Sequence, residues 1–106
     1  VVVDIAEERL IRRAPLYPLP LGRYDRDYIA ATFQGVERVF GVKAKPALPP
    51  EMMPGRALMR RLLELRRSLK PETDEQRGAH GRLSSAIMLL DVASAMDAEL
   101  RGVGRR

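Results

Sequence analysis

Eight prolines cut this chain into pieces, and their placement restricts the fold more than any other feature. Pro15, Pro18 and Pro20 fall within six residues, Pro46, Pro49, Pro50 and Pro54 within nine, and Pro71 stands alone. Proline has no N–H to donate, and the residue before it avoids the helical region. No helix can run through either cluster, so residues 15–22 and 42–55 are expected as extended, polyproline-like connectors. The first connector also carries Leu16, Tyr17, Leu19 and Leu21. That is too apolar for a free linker, and it should lie over a core or against a partner.

The remaining segments read as helices over about 3–14, 26–40, 56–70 and 74–101. In the first, Asp4, Glu7 and Glu8 precede Arg9, Arg12 and Arg13, a polarity that complements the helix dipole. Val1–Val3 could instead form a short strand. In the second, Asp25 is a candidate N-cap, Ile29, Phe33, Val36 and Phe40 make one apolar stripe, and Gly41 sits where a C-terminal cap belongs. In the third, Leu58, Leu62, Leu65 and Leu69 repeat that spacing up to Pro71. The fourth has two readings. Thr73-Asp-Glu-Gln76 is a capping-box signature, whereas Gly78 and Gly81 weaken the next turn and would allow a start near Arg82; the longer helix is favoured. Ala86, Leu89, Ala93, Met96 and Leu100 form its stripe. With Ile87, Met88, Leu90 and Val92 its middle is apolar nearly all round, as in a central helix buried on several sides. Gly102 and Gly104 should end it, leaving Arg105-Arg106 to fray. The expected fold is all-α, a single domain of three to four packed helices with two proline-rich connectors.

Net charge is +5 over 106 residues, and sixteen of the nineteen bases are arginine. The charge is local. Residues 54–70 hold six bases against one acid, and residues 71–100 hold two bases against six acids. At 100° per residue Arg56, Arg60 and Arg67 lie within about 40° of one another, opposite the leucine stripe, with Leu63 and Met59 alongside. This row is either a solvated face, a face neutralised by the acids of the fourth helix, or a docking face. Exposed Met59 and Leu63 would favour a protein partner, because apolar side chains gain nothing from a phosphate backbone.

The chain has no cysteine and a single histidine, His80. Disulfides, thiolate metal sites and a cysteine nucleophile are therefore excluded. His80 has no histidine or cysteine partner for a metal, and Ser84 and Ser85 fall in no nucleophile-elbow pattern. No cofactor or metal is expected. Asp91 interrupts an apolar stretch and is expected in a structural salt bridge. No apolar run approaches the roughly 20 residues that span a bilayer. A small secreted domain would usually carry disulfides, so an intracellular home, cytosol or organelle matrix, is expected.

Three short patterns invite a functional reading. Arg77-Gly-Ala-His80-Gly81-Arg82 could be a turn that holds a phosphate through Arg77, His80 and Arg82. Its glycine-x-x-glycine spacing superficially resembles the loop of KH RNA-binding domains, a family that also needs strands around its helices. Arg12-x-x-Pro15-x-x-Pro18 and Lys43-x-x-Pro46-x-x-Pro49 both fit a loose SH3-ligand pattern. Leu19-Pro-Leu-Gly22, Val39-Phe40-Gly41 and Leu48-Pro-Pro50 resemble the N-terminal portion of archaemetzincins over less than half of the chain. Those proteases resemble one another most in an HExxH zinc motif with a third histidine downstream. None of it is present, so a working protease is excluded.

The expected function is a non-enzymatic protein–protein interaction module, an accessory subunit or adaptor, whose partner is an acidic protein or a second copy. Its contacts would come from Arg56, Met59, Arg60, Leu63, Arg67 and Tyr17. The alternative is nucleic-acid binding through the same arginines.

Overall fold

A computed structural model describes residues 4–102. Among these described residues there are four helices: α1 (Ile5–Arg13), α2 (Arg23–Phe40), α3 (Gly55–Ser68) and α4 (Asp74–Leu100). A single 3-10 turn, Pro50–Met52, interrupts the second connector. The alternative strand at Val1–Val3 and the tail Arg105-Arg106 lie outside the described residues. The all-α bundle with two proline-rich connectors is the observed architecture.

Local chemistry sets the helix ends. The Asp4 carboxylate accepts the Ala6 and Glu7 backbone N–H groups and starts α1. The Thr73 hydroxyl accepts from Gln76 N–H, while the Gln76 side-chain oxygen accepts from Thr73 N–H at 3.2 Å. This complete capping box is why α4 begins at Asp74 despite Gly78 and Gly81. Gly41 ends α2 in the left-handed region at φ 68°, its N–H bonded to the Glu37 carbonyl. Asp25 is not the N-cap of α2. The helix begins three residues earlier than expected, after Gly22, with no side-chain cap. Proline sets the limit here: nothing after Pro20 stops the helix from extending backward. α3 ends at Ser68, two residues short of expectation, and Leu69 is already extended ahead of Pro71.

α4 is central. It packs on α2 and on α3, and α1 lies over α3 and touches α4. The core gathers Ile29, Phe33 and Val36 of α2, Leu58, Leu62 and Leu65 of α3, and Leu83, Ala86, Ile87 and Leu90 of α4. Buried hydroxyls are satisfied within their own helices: Thr32 donates to the Tyr28 carbonyl and Ser94 to the Leu90 carbonyl, each at 2.8 Å.

Both connectors are tied to α3. The Tyr17 carbonyl accepts from Gly55 N–H and the Pro15 carbonyl from Arg56 N–H, at 2.9 and 2.8 Å. The first connector therefore supplies acceptors for N–H groups that a helix start leaves without partners, and it buries Leu19. This close approach requires glycine. A Cβ at Gly55 would lie 2.8 Å from Pro15 Cδ and 3.2 Å from Leu19 Cδ1. The proline ring cannot swing away, so Gly55→Ala should cost about 1–3 kcal/mol, as overpacking does, measured by urea denaturation.

Candidate functional site

The arginine row of α3 faces the chain's own first helix. Arg56 Nε donates to the Ile11 and Ala14 carbonyls and a terminal nitrogen to the Arg12 carbonyl, each at 3.0 Å. It fastens the C-terminal end of α1. At the other end, Glu7 is buried and pairs with Arg67 and, at 3.7 Å, with Arg66. The Glu7 carboxylate holds the Arg67 guanidinium further above its usual value, by hydrogen bond and then by charge. Between these anchors Met59 and Leu63 are 0% and 1% exposed. They were expected on an open face; instead α1 lies antiparallel along it. The acids of α4 do not neutralise this row. One α1 carboxylate pairs with Arg67, three main-chain carbonyls hold Arg56, and Arg60 stays exposed.

Arg61, on the other flank of α3, holds the second connector. It donates to the Ala44 carbonyl at 3.0 Å, the Lys43 carbonyl at 3.1 Å and the Glu64 carboxylate at 2.6 Å. Glu37 of α2 grips the same segment by accepting the N–H groups of Ala44 and Lys45 at 3.0 and 2.9 Å. These two bonds pull the Glu37 carboxyl below its usual range. A lowered folded-state value means that this clasp is intact above the ordinary glutamate pKa and is lost as pH falls through the folded one. Amide resonances of Ala44 and Lys45 should therefore titrate with a midpoint below the ordinary 4.5, and the titration should vanish in Glu37→Gln.

Arg60 is exposed and stands over a groove of about 700 Å³ between the connectors, with Lys45 beside it and Leu16, Pro46, Met53 and Pro54 in the walls. Tyr17 does not project freely. Its hydroxyl donates to the Asp97 carboxylate, and Arg101, itself bonded to Asp97 at 3.0 Å, lies 4.5 Å above its ring. The Asp97 contact raises the phenol above its usual value. Tyr17 thus buckles the first connector to the C-terminal part of α4.

The proposed phosphate turn is helix. Residues 77–82 lie within α4, so their backbone N–H groups are used in the helix. Arg77 pairs with Asp74 and donates to the Glu72 carbonyl at 3.2 Å. His80 Nε2–H donates to the Arg66 carbonyl of α3 at 2.8 Å. Arg82 points about 140° around the helix from Arg77. The three do not converge, and no strand of the KH kind flanks them among the described residues. Asp91 receives a two-pronged bond from Arg13 at 2.8 and 3.1 Å, the structural salt bridge expected of it.

One surface was not anticipated. The face of α4 opposite its core carries Met88, Val92 and Met96, which are 62%, 53% and 61% exposed. Tyr24 of α2, 70% exposed, and the half-buried Tyr28 widen it. They frame a cleft of about 450 Å³ with Ser85, Met88, Leu89 and Val92. The stripe Ala86, Leu89, Ala93, Met96 and Leu100 meets the core only in part, through Ala86 and Ala93. Core contact centres on Leu83, Ala86, Ile87 and Leu90, while Met96 and Leu100 are open. The signal was present in the sequence. A helix apolar all round needs neighbours on every side, and this bundle has too few to cover α4.

No family model, curated protein or solved structure matches this chain. Among the described residues no group of three or more histidine, cysteine, aspartate or glutamate side chains could hold a metal ion, and no helix is long and apolar enough to cross a membrane.

Proposed function

We propose that the protein is a non-enzymatic interaction module, an accessory subunit or adaptor, that docks through the α2–α4 face. The observation that carries this reading is the contiguous exposure of Tyr24, Met88, Val92 and Met96, whereas the apolar stripes of α2 and α3 through Ile29, Phe33 and Val36 and through Leu58, Leu62 and Leu65 are buried. At about 200 Å² per large side chain their open parts come to on the order of 500 Å², the upper range for an apolar patch on a lone soluble protein. The titratable groups favour this reading over catalysis. His80, Asp91, Asp97 and Glu7 are each engaged in a contact that holds two segments together.

The nucleic-acid alternative loses its main support. Arg56, Arg61, Arg66 and Arg67 are spent on carbonyls and carboxylates of the same chain, so fewer bases of α3 remain for phosphates than the net charge suggests.

A photo-crosslinking residue introduced at Met88 tests the proposal in cells that produce the protein. A discrete adduct from position 88, absent when the same residue replaces the exposed Ser68, is the expected result. Equal labelling from both positions, or none, overturns it.

A further inference from the structure

The geometry points to a second copy of this chain as the occupant of the α2–α4 face, with the two α4 helices antiparallel; this rests on the interaction-module reading above. The exposed side of α4 has two unlike halves. Its N-terminal half presents Gly78, Gly81 and Ser85, and its C-terminal half presents Met88, Val92 and Met96, all exposed. At 100° per residue all six lie within about 40° of one line along the helix. Packing inside the protomer does not require these glycines. A Cβ at Gly78 or Gly81 would meet nothing within 4 Å, yet each glycine costs the helix about 1 kcal/mol against alanine.

An antiparallel two-fold resolves both features. With the axis between Met88 and Leu89, Met96 of one helix falls over Gly81 of the other, and Val92 over Ser85. Bulky side chains meet the places where the opposing backbone is bare, which is how small residues let helices approach closely. The same register sets Glu99 over Gly78 of the other copy, one residue from Arg77, twice across the axis, and opposes the helix dipoles. A parallel pair would instead stack bulk on bulk and glycine on glycine. The whole exposed face, apolar patch plus Leu89, Tyr28 and the flanking charged Arg77 and Glu99, approaches the roughly 800 Å² per partner of a standard interface.

Sedimentation equilibrium of the purified chain, up to about 1 mM, reads the association directly. A monomer–dimer equilibrium is expected. Val92→Glu should weaken it at least about tenfold with unchanged helicity. Gly81→Met is the sharper variant, because a residue with better helix propensity should keep or raise thermal stability while association falls by a similar factor. The chain has no cysteine, so Met88→Cys, next to the axis, should form a disulfide-linked dimer when an oxidant such as diamide is added to accept the two thiol hydrogens. A chain that stays monomeric throughout, or dimerises with no response to Val92→Glu and Gly81→Met, overturns the inference. Monomeric protein that still photo-crosslinks from position 88 to a different protein rejects the second copy and leaves the interaction module standing. Monomeric protein with no adduct rejects both.

Discussion

Leu63→Ala should lower the unfolding free energy by about 2–5 kcal/mol, the range for truncating a fully buried leucine. Leu63 is 1% exposed, on the flank of α3 that α1 covers, next to the equally buried Met59. A domain of this size has a total stability of about 5–15 kcal/mol. The loss is therefore a large share of the whole, and the thermal midpoint should fall by at least about 8 °C at roughly 4–8 °C per kcal/mol. The experiment separates two placements of one residue. If Leu63 lay on an open docking surface, the same substitution would change stability by no more than about 0.5 kcal/mol. Chemical denaturation of the wild type and the variant decides between them. An unchanged midpoint would mean that α1 does not cover α3.

The contrast shows which parts of the fold were legible in the residues. Helix spans and caps were readable because they depend on neighbours in sequence: the Thr73–Gln76 box, Gly41 after Phe40, Pro71 after α3. The leucine stripe of α3 was readable for the same reason. What sequence spacing does not carry is the number of sides on which a helix is covered. α3 lies between α4 and α1, so its buried arc is wider than the leucine stripe and takes in Met59 and Leu63. α4 is central and covered on several sides, as its apolar middle suggested, but α2, α3 and part of α1 do not close the circle, and the stripe through Val92 is left open.

Charge misled for a related reason. Arg56, Arg60 and Arg67 share a helix face, and a shared face invites a shared role. In the structure their roles separate along the helix axis. Arg67 meets Glu7 near the start of α1, Arg56 meets the carbonyls at its end, and Arg60 stands over the connector groove. The acidic N-terminal and basic C-terminal turns of α1 oppose this arrangement only in part. Glu7 fits Arg66 and Arg67, whereas the basic end of α1 is held through carbonyl oxygens and through the Arg13–Asp91 pair, not through opposite charge on α3. The acids of α4 serve elsewhere: Asp91 binds α1 and Asp97 binds the first connector. Ion pairs between helices are thus the work of α1, through Glu7 and Arg13, while the connectors are held by hydrogen bonds. The basic face of α3 is partly engaged within the chain, whereas Met88, Val92 and Met96 of α4 stay exposed.

Arg56→Lys should cost about 2–4 kcal/mol although it keeps the charge, since hydrogen bonds from a charged donor contribute about 1.5–3 kcal/mol each and are not additive. The planar fork of arginine reaches three carbonyls at once, those of Ile11, Arg12 and Ala14. They lie at the C-terminal end of α1, where a helix runs short of intrahelical donors, and that of Ile11 also accepts the Ala14 N–H at 3.2 Å. An ammonium is a point charge on a flexible stem and cannot span them. The damage should be directional. Arg56 N–H also holds the Pro15 carbonyl, and Gly55 N–H the Tyr17 carbonyl, so the guanidinium and the start of α3 together clamp the junction between α1 and the first connector. Without the fork, α1 should open ahead of the remaining bundle. Hydrogen exchange at Leu10, Ile11 and Ala14 should then rise well before exchange at Leu62 or Leu90, and proteolysis should cut near Leu16. Uniform faster exchange in all four helices would instead place Arg56 in the global stability of the bundle. Arg60→Lys is the control. Arg60 is exposed over the groove, so the same chemical change there should leave both exchange and stability within about 0.5 kcal/mol of wild type.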